Sequence, residues 1–151
     1  YPILLDTSPC AFRLGNFVKD RLPVHDLASF LAEHVLSRLK VTQCREPVAL
    51  HVTCSTRKMG LEAKLRTIAE ACTSEVVIPD GMACCGFAGD KGFTTPELNE
   101  SALAQLKPTL GGKIREGYST SRTCEIGLSR HGGIPYRSIV YLLDRCSLPE
   151  T

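Results

Sequence analysis

Five of the eight cysteines, Cys10, Cys54, Cys84, Cys85 and Cys124, carry the chemistry this sequence offers. Each stands where a strand is expected to hand over to a loop or a helix. Several thiolates meeting at one point suit a soft metal centre. Cys84 and Cys85 are adjacent, so on an extended strand their side chains point to opposite sides. Both reach one centre only if the backbone turns. Gly86 and Gly89 make such a turn inexpensive and allow close approach to a bound group. A structural zinc site spaces its cysteines as Cys-x-x-Cys, and no such pair occurs here. The same absence weighs against a dithiol redox motif. Free cysteine is also one of the most buried residue types. Inert burial is the reading adopted for Cys44, Cys72 and Cys146. For the other five, ligation and burial both stay open.

The elements that must position these sulfurs read as strand–helix repeats. Ile3 to Asp6 is a short buried strand ending in a loop, Thr7-Ser8-Pro9-Cys10, and a helical turn follows around Phe12 to Phe17. Asp26 caps a helix from Leu27 to about Leu39, with Leu27, Phe30, Leu31, Val35 and Leu39 on its apolar face. Pro47 leads into a β-rich run, Val48 to Thr53, that ends at Cys54. A helix from Leu61 to Cys72 and a strand from Val76 to Ile78 come next. Met82 to Gly92 is a shaped loop. Thr95-Pro96 starts a helix to about Lys107, broken by Pro108 and Gly111-Gly112. Tyr118 to Ser121 is a short strand, a small helix begins near Cys124, and another runs from Pro135 or Tyr136 to Asp144. From Cys146 onward the tail is expected to fray.

This order predicts an α/β fold: repeated strand–helix units, a mostly parallel sheet and a Rossmann-like three-layer arrangement. One domain covers residues 1–151. In an open parallel sheet the C-terminal strand ends gather on one edge, so distant cysteines meet there. Helix N-termini at Cys54 and Cys124 favour thiolate over thiol.

Composition excludes several classes. The net charge is +2, with both signs mixed. The nearest basic patch, Arg57, Lys58, Lys64 and Arg66, is interrupted by Glu62, so no nucleic-acid partner is expected. No stretch has the length of a transmembrane helix. The start lacks the basic flank and length of a signal peptide. The first residue is Tyr1, not Met, which fits a chain that begins inside a longer one. Among other polar residues, His51 reads as a hydrogen-bonded core histidine and His131 as a loop residue. Asp90 and Lys91 read as solvated charges. Arg122 is a candidate for steering an acidic partner or holding an inter-domain carboxylate.

Cys84-Cys85-Gly86, preceded by Cys54 and followed by Cys124, resembles the cysteine-rich CCG domain found in heterodisulfide reductases, in the iron–sulfur component of glycolate oxidase and in related respiratory dehydrogenases. That motif is one cysteine, then Cys-Cys-Gly, then Cys-x-x-Cys, often present twice. Cys54, Cys84, Cys85 and Cys124 match four of its five positions, and Ser121 stands at the fifth. Thr7-Ser8-Pro9-Cys10 is similar to the end of an earlier copy, with Thr7 at a missing cysteine. Cys84 to Gly92, Pro96-Glu97-Leu98, Ser121 to Gly127 and Pro135 to Ser138 resemble the C-terminus of large FAD-linked D-lactate dehydrogenases. The resemblance implies a 4Fe-4S cluster on Cys54, Cys84, Cys85 and Cys124. Ser121 or Cys10 would complete the set, with Gly86 and Gly89 shaping the turn. It implies FAD and ferredoxin-like domains upstream, and a quinone, cytochrome or other carrier as electron acceptor. It places the whole enzyme in the cytoplasm or peripherally on the cytoplasmic face of the membrane. It also implies that this chain alone does not oxidise lactate, because nothing in it resembles a flavin-binding dinucleotide loop. A cluster-free docking domain and a heterodisulfide-reductase-like thiol redox component are the alternatives.

Overall fold

The computed structural model describes residues 1–149. Strand β1 (Ile3–Leu5), helix α1 (Ser8–Val18) and strand β2 (Val24–Asp26) form a strand–helix–strand unit. Its strands pair in parallel, Ile3 against Val24 and Leu5 against Asp26. Helix α1 is longer than the turn expected over 12–17. It takes in Ser8, Pro9 and Cys10, for which the sequence predicts a loop. Pro9 stands in the first turn, where a missing N–H leaves no helical bond unmade.

The Asp26 carboxylate accepts the Ala28 N–H at 2.8 Å and caps α2 (Leu27–Phe30) as expected. The helical run continues through a wide π turn, Leu31–Val35, and a 3-10 turn, Leu36–Arg38. Leu39 does not close the helix but opens β3 (Leu39–Val41). The chain then builds β4 (Val48–Leu50), α3 (Cys54–Lys58), α4 (Glu62–Cys72) and β5 (Val76–Val77). Three helices follow: α5 (Lys91–Thr94), α6 (Pro96–Leu103) and α7 (Leu106–Leu110). The chain closes with β6 (Gly117–Ser119), α8 (Arg122–Gly132), β7 (Tyr136–Ser138), α9 (Ile139–Cys146) and β8 (Ser147–Pro149).

Three expectations are corrected in this half. Pro108 does not break a helix; it lies in the short α7, and the break falls before Leu106. Tyr136 does not start the last helix. Residues 136–138 pair with β6, and the Ser138 hydroxyl accepts the Val140 N–H to start α9 at Ile139. The tail does not fray at Cys146: β8 pairs antiparallel with β3, Val41 against Ser147, which supplies β3 with a hydrogen-bonded partner.

The main sheet has the order β5-β4-β6-β7, with every neighbouring pair parallel. The fold is therefore mixed α/β with parallel strands and several helices. Its central strand β4 has no exposed surface on Val48, Ala49 or Leu50. Alternation along the strand divides these residues between two cores. Val48 and Leu50 join Leu27, Leu31, Leu65, Ile68, Ile139 and Leu142 from α2 to α9. Ala49 joins Phe87, Leu103, Leu106, Leu128 and Tyr136. Gly117 is required where β6 meets β7, because a Cβ there would come within 2.5 Å of the Tyr136 ring. No helix among the described residues is long and apolar enough to cross a membrane.

A chain of buried hydroxyls ties the two-stranded unit to the main sheet. Ser8 Oγ donates to Asp26 Oδ2 at 2.6 Å and accepts from Thr56 Oγ1 at 3.2 Å. Thr56 Oγ1 also lies 2.8 Å from Thr53 Oγ1 and 3.0 Å from Thr120 Oγ1. The Ser8 N–H donates to the Thr120 carbonyl at 3.0 Å. Asp26→Ala removes a helix cap and leaves the buried Ser8 hydroxyl without its acceptor. Together these should destabilise the fold by about 3 kcal/mol. Urea denaturation of the variant against wild type measures the loss.

Candidate functional site

The C-terminal ends of β1, β4, β5 and β6 deliver the cysteines. Cys10 lies in the first turns of α1, Cys54 opens α3, Cys84 and Cys85 lie in the loop after β5, and Cys124 lies in the first turn of α8. All five line one cavity of about 440 Å³, together with Thr7, Pro9, Gly89 and Ser121. Ala88, Asp90, Phe93 and Thr123 complete the wall. Cys10, Cys54 and Cys84 are exposed, whereas Cys85 and Cys124 are buried at its floor.

The two neighbours Cys84 and Cys85 sit in different surroundings because the backbone turns after them. Gly86 and Gly89 have φ of 71° and 74°, and Ala88 between them has φ of 48°. A left-handed residue that is not glycine is uncommon and strained. Gly86 itself packs against α6 and is not part of the cavity wall. A Cβ there would lie 2.7 Å from the Ala102 methyl. The Cys85 carbonyl accepts a hydrogen bond from the buried Asn99 side chain of α6. Asn99 also fills the space beside Gly127 of α8. It thus holds the Cys-Cys turn between two helices.

The floor thiols are closely linked. Cys85 Sγ and Cys124 Sγ lie 2.9 Å apart, beyond the ~2.05 Å of a disulfide. With the Cys124 proton shared toward it, and backbone N–H groups adding to this against burial, the Cys85 thiol falls to about 7. The same hydrogen bond, followed by burial, pushes the Cys124 thiol well up. Burial also raises Cys84, opposed by the Gly86 N–H that its sulfur accepts at 3.4 Å. Ser121 is almost fully buried at the start of α8, and its hydroxyl lies 3.3 Å from that of Thr123.

The spacing of the sulfurs bears on what they fit. A tetrahedral ion with bonds of about 2.3 Å holds its sulfurs roughly 3.8 Å apart. Among the described residues, no three of these sulfurs lie within 4.8 Å of one another. Cys85 and Cys124, at 2.9 Å, stand closer than two ligands of one ion, and the remaining thiols are not gathered around them.

The remaining candidates fall outside the cavity or at its rim. His51 is 2% exposed, with Nδ1 3.0 Å from Ser119 Oγ, as a core histidine should be. His131 is not in a loop but in the last turn of α8. Arg122 is exposed at the start of α8 and pairs with Glu125 at 3.2 Å. Burial raises the Glu125 carboxyl, and Arg122 opposes that rise. Asp90 is exposed at the cavity wall, and Lys91 is exposed beside it. Cys72 and Cys146 are buried in the core beneath α4 and α9, with Cys44 half-buried against them. Burial, then Cys146, pushes Cys72 up to about 12.

Sequence reasoning does not single out Asn99, Phe93, Thr123 or the buried hydroxyls. Of these, only Asn99 leaves a trace in the sequence: a polar residue among the apolar positions of a helix. No protein-family model matches this chain, and no curated protein matches it.

Burial, with the nearby Arg57 charge, holds the His51 imidazole down to about 4. The unfolded value is about 6.5. Between these two the unfolded chain binds the extra proton, so stability rises with pH and is lost on acidification. Wild type should lose up to about 3 kcal/mol between pH 6.5 and pH 4. In His51→Gln that part of the slope should vanish, as measured by urea denaturation across the range.

Proposed function

We propose that this chain is the C-terminal electron-transfer part of an FAD-dependent D-lactate (2-hydroxy acid) dehydrogenase, and that its cysteine-lined cavity holds an iron–sulfur cluster. The observation that carries the reading is the convergence of Cys10, Cys54, Cys84, Cys85 and Cys124 on one cavity. The donor set fits the group in its chemistry, being soft sulfur ligands, and Cys85 and Cys124 would move apart from 2.9 Å to hold it. The resemblance of the Cys-Cys-Gly segment and its flanks supplies the lactate branch and the FAD and ferredoxin-like domains upstream.

In this reading Cys54, Cys84, Cys85 and Cys124 are the ligands, and Cys10 or Ser121 stands at the remaining position. A bound cluster would accept and release one electron at a time. The chain's own residues determine how it is held. Cys85 offers sulfur already close to its thiolate form. Asn99 fixes the Cys-Cys turn, and Phe93 is exposed at the cavity wall on the path to solvent. The main sheet, with cores on both faces, supports a Rossmann-like three-layer reading of the whole domain. A quinone, cytochrome or other carrier is the proposed acceptor, and the proposed location is the cytoplasm or the cytoplasmic face of the membrane.

A second reading is favoured by the Cys85–Cys124 contact. Cys85 thiolate would attack a substrate disulfide and release one thiolate. Cys124 would then displace the second sulfur with loss of its proton, leaving a Cys85–Cys124 disulfide and two reduced substrate sulfurs. This is a heterodisulfide-reductase-like thiol reaction.

After anaerobic purification, wild type should contain about four iron and four sulfide per chain, and Cys85→Ala should contain neither. Neither element in folded wild type sinks the cluster reading for the chain alone and leaves a docking domain. Stoichiometric oxidation of Cys85 and Cys124 by a small disulfide, with release of two thiols, supports the second reading.

A further inference from the structure

A second group of ligand atoms lies on the two-stranded unit, separate from the cysteines. His25 of β2, and Glu33 and His34 of the helical run after α2, each place one ligand atom within 4.8 Å of the other two. His34 Nε2 lies 3.8 Å from Glu33 Oε2. The two imidazoles stand edge to face, with centroids 5.6 Å apart. Phe30 packs on both, at 6.1 Å from His25 and 5.3 Å from His34. That ring forms one wall of the group.

The backbone around these residues is also unusual. Glu33 and His34 lie in the π turn Leu31–Val35. Single π turns inside α-helices are frequent at functional sites. The Glu33 carboxylate is oriented by Lys64 of α4, which bonds Oε1 and leaves Oε2 on the histidine side.

We propose that His25, Glu33 and His34 bind a divalent transition ion of the zinc class. Two imidazoles and one carboxylate are the ligand types that borderline ions such as zinc prefer, whereas calcium and magnesium favour all-oxygen sets. Three protein ligands leave a fourth tetrahedral position for water. Ligands bound at about 2.1 Å sit roughly 3.4 Å apart, so modest side-chain rotation closes the site. Glu33 and His34 are exposed and His25 half-buried, so such rotation meets little obstruction. The ion would join β2 to the helical run at the residue next to Asp26. Lys64 orients the carboxylate, but its positive charge opposes the ion. This inference does not depend on what the cysteine cavity holds.

The test is equilibrium dialysis of the purified chain against zinc chloride, with bound zinc counted per chain. Wild type should hold one more zinc than His25→Ala or His34→Ala, whose affinity at this site should fall at least about tenfold. The extra zinc should persist in Cys85→Ala, which separates it from metal held by the cysteine cavity. Glu33→Gln, which removes the carboxylate charge and keeps its shape, should bind it at least about tenfold more weakly. Circular dichroism establishes that each variant is folded. Equal zinc in wild type and both folded histidine variants overturns the site. Unchanged binding in folded Glu33→Gln overturns Glu33 as the third ligand.

Discussion

The cysteine cavity depends on a line of buried hydroxyls that starts at a carboxylate. Asp26 holds Ser8, Ser8 holds Thr56, and Thr56 meets Thr53 and Thr120. Each hydroxyl stands beside a strand end that feeds the cavity. Ser8 follows β1 and precedes Cys10. Thr53 precedes Cys54. Thr120 precedes Ser121 and the helix bearing Cys124. Buried hydroxyls without partners cost about 1–3 kcal/mol each, so these segments are held in one mutual arrangement. Cys10, Cys54 and Cys124 converge because their backbone neighbours are bonded to one another, and Asn99 holds the Cys84–Cys85 turn separately.

Within that frame, adjacent residues are given opposite surroundings. Cys84 faces solvent and Cys85 does not. Two positive-φ glycines, a strained alanine and the Asn99 amide impose the turn that separates them. Phe87 lies beneath it, buried completely and packed edge-on against Phe93 at 4.9 Å. Gly92 lies against the Phe87 ring, where a Cβ would come within 2.6 Å. The turn is therefore shaped by packing as much as by its own flexibility.

Much of this is legible in the sequence where a period or a rule of topology applies. The apolar stripe of α4 appears at Leu65, Ile68, Ala69 and Cys72, all buried as its spacing requires. The cysteines share a cavity because parallel strands end on one edge, which is a property of the connection rather than of any residue. What the sequence hides is short or non-local. Strands β2, β7 and β8 have three residues each, too few for alternation to register. Their identity depends on a partner far along the chain: Val24 on Ile3, Ser147 on Val41. Pro108 misleads because proline is tolerated in a first turn. Ser8, Thr53, Thr56 and Thr120 look like ordinary loop and cap residues until the fold buries them together. The π turn leaves no mark on a 3.6-residue period.

The order of the wall residues along the chain has a further consequence during synthesis. Thr7 and Cys10 are made before Ser121 and Cys124, with more than a hundred residues between the first and last cysteine of the wall. Chains grow at about 5–20 residues per second, so the first cysteine waits several seconds for the last. Until then Cys10, Cys54, Cys84 and Cys85 belong to an incomplete sheet that lacks β6, the strand between β4 and β7. A group held by all five cysteines could be complete only once Cys124 has been made. For such a group to form, these thiols would have to stay reduced and unpaired in the meantime.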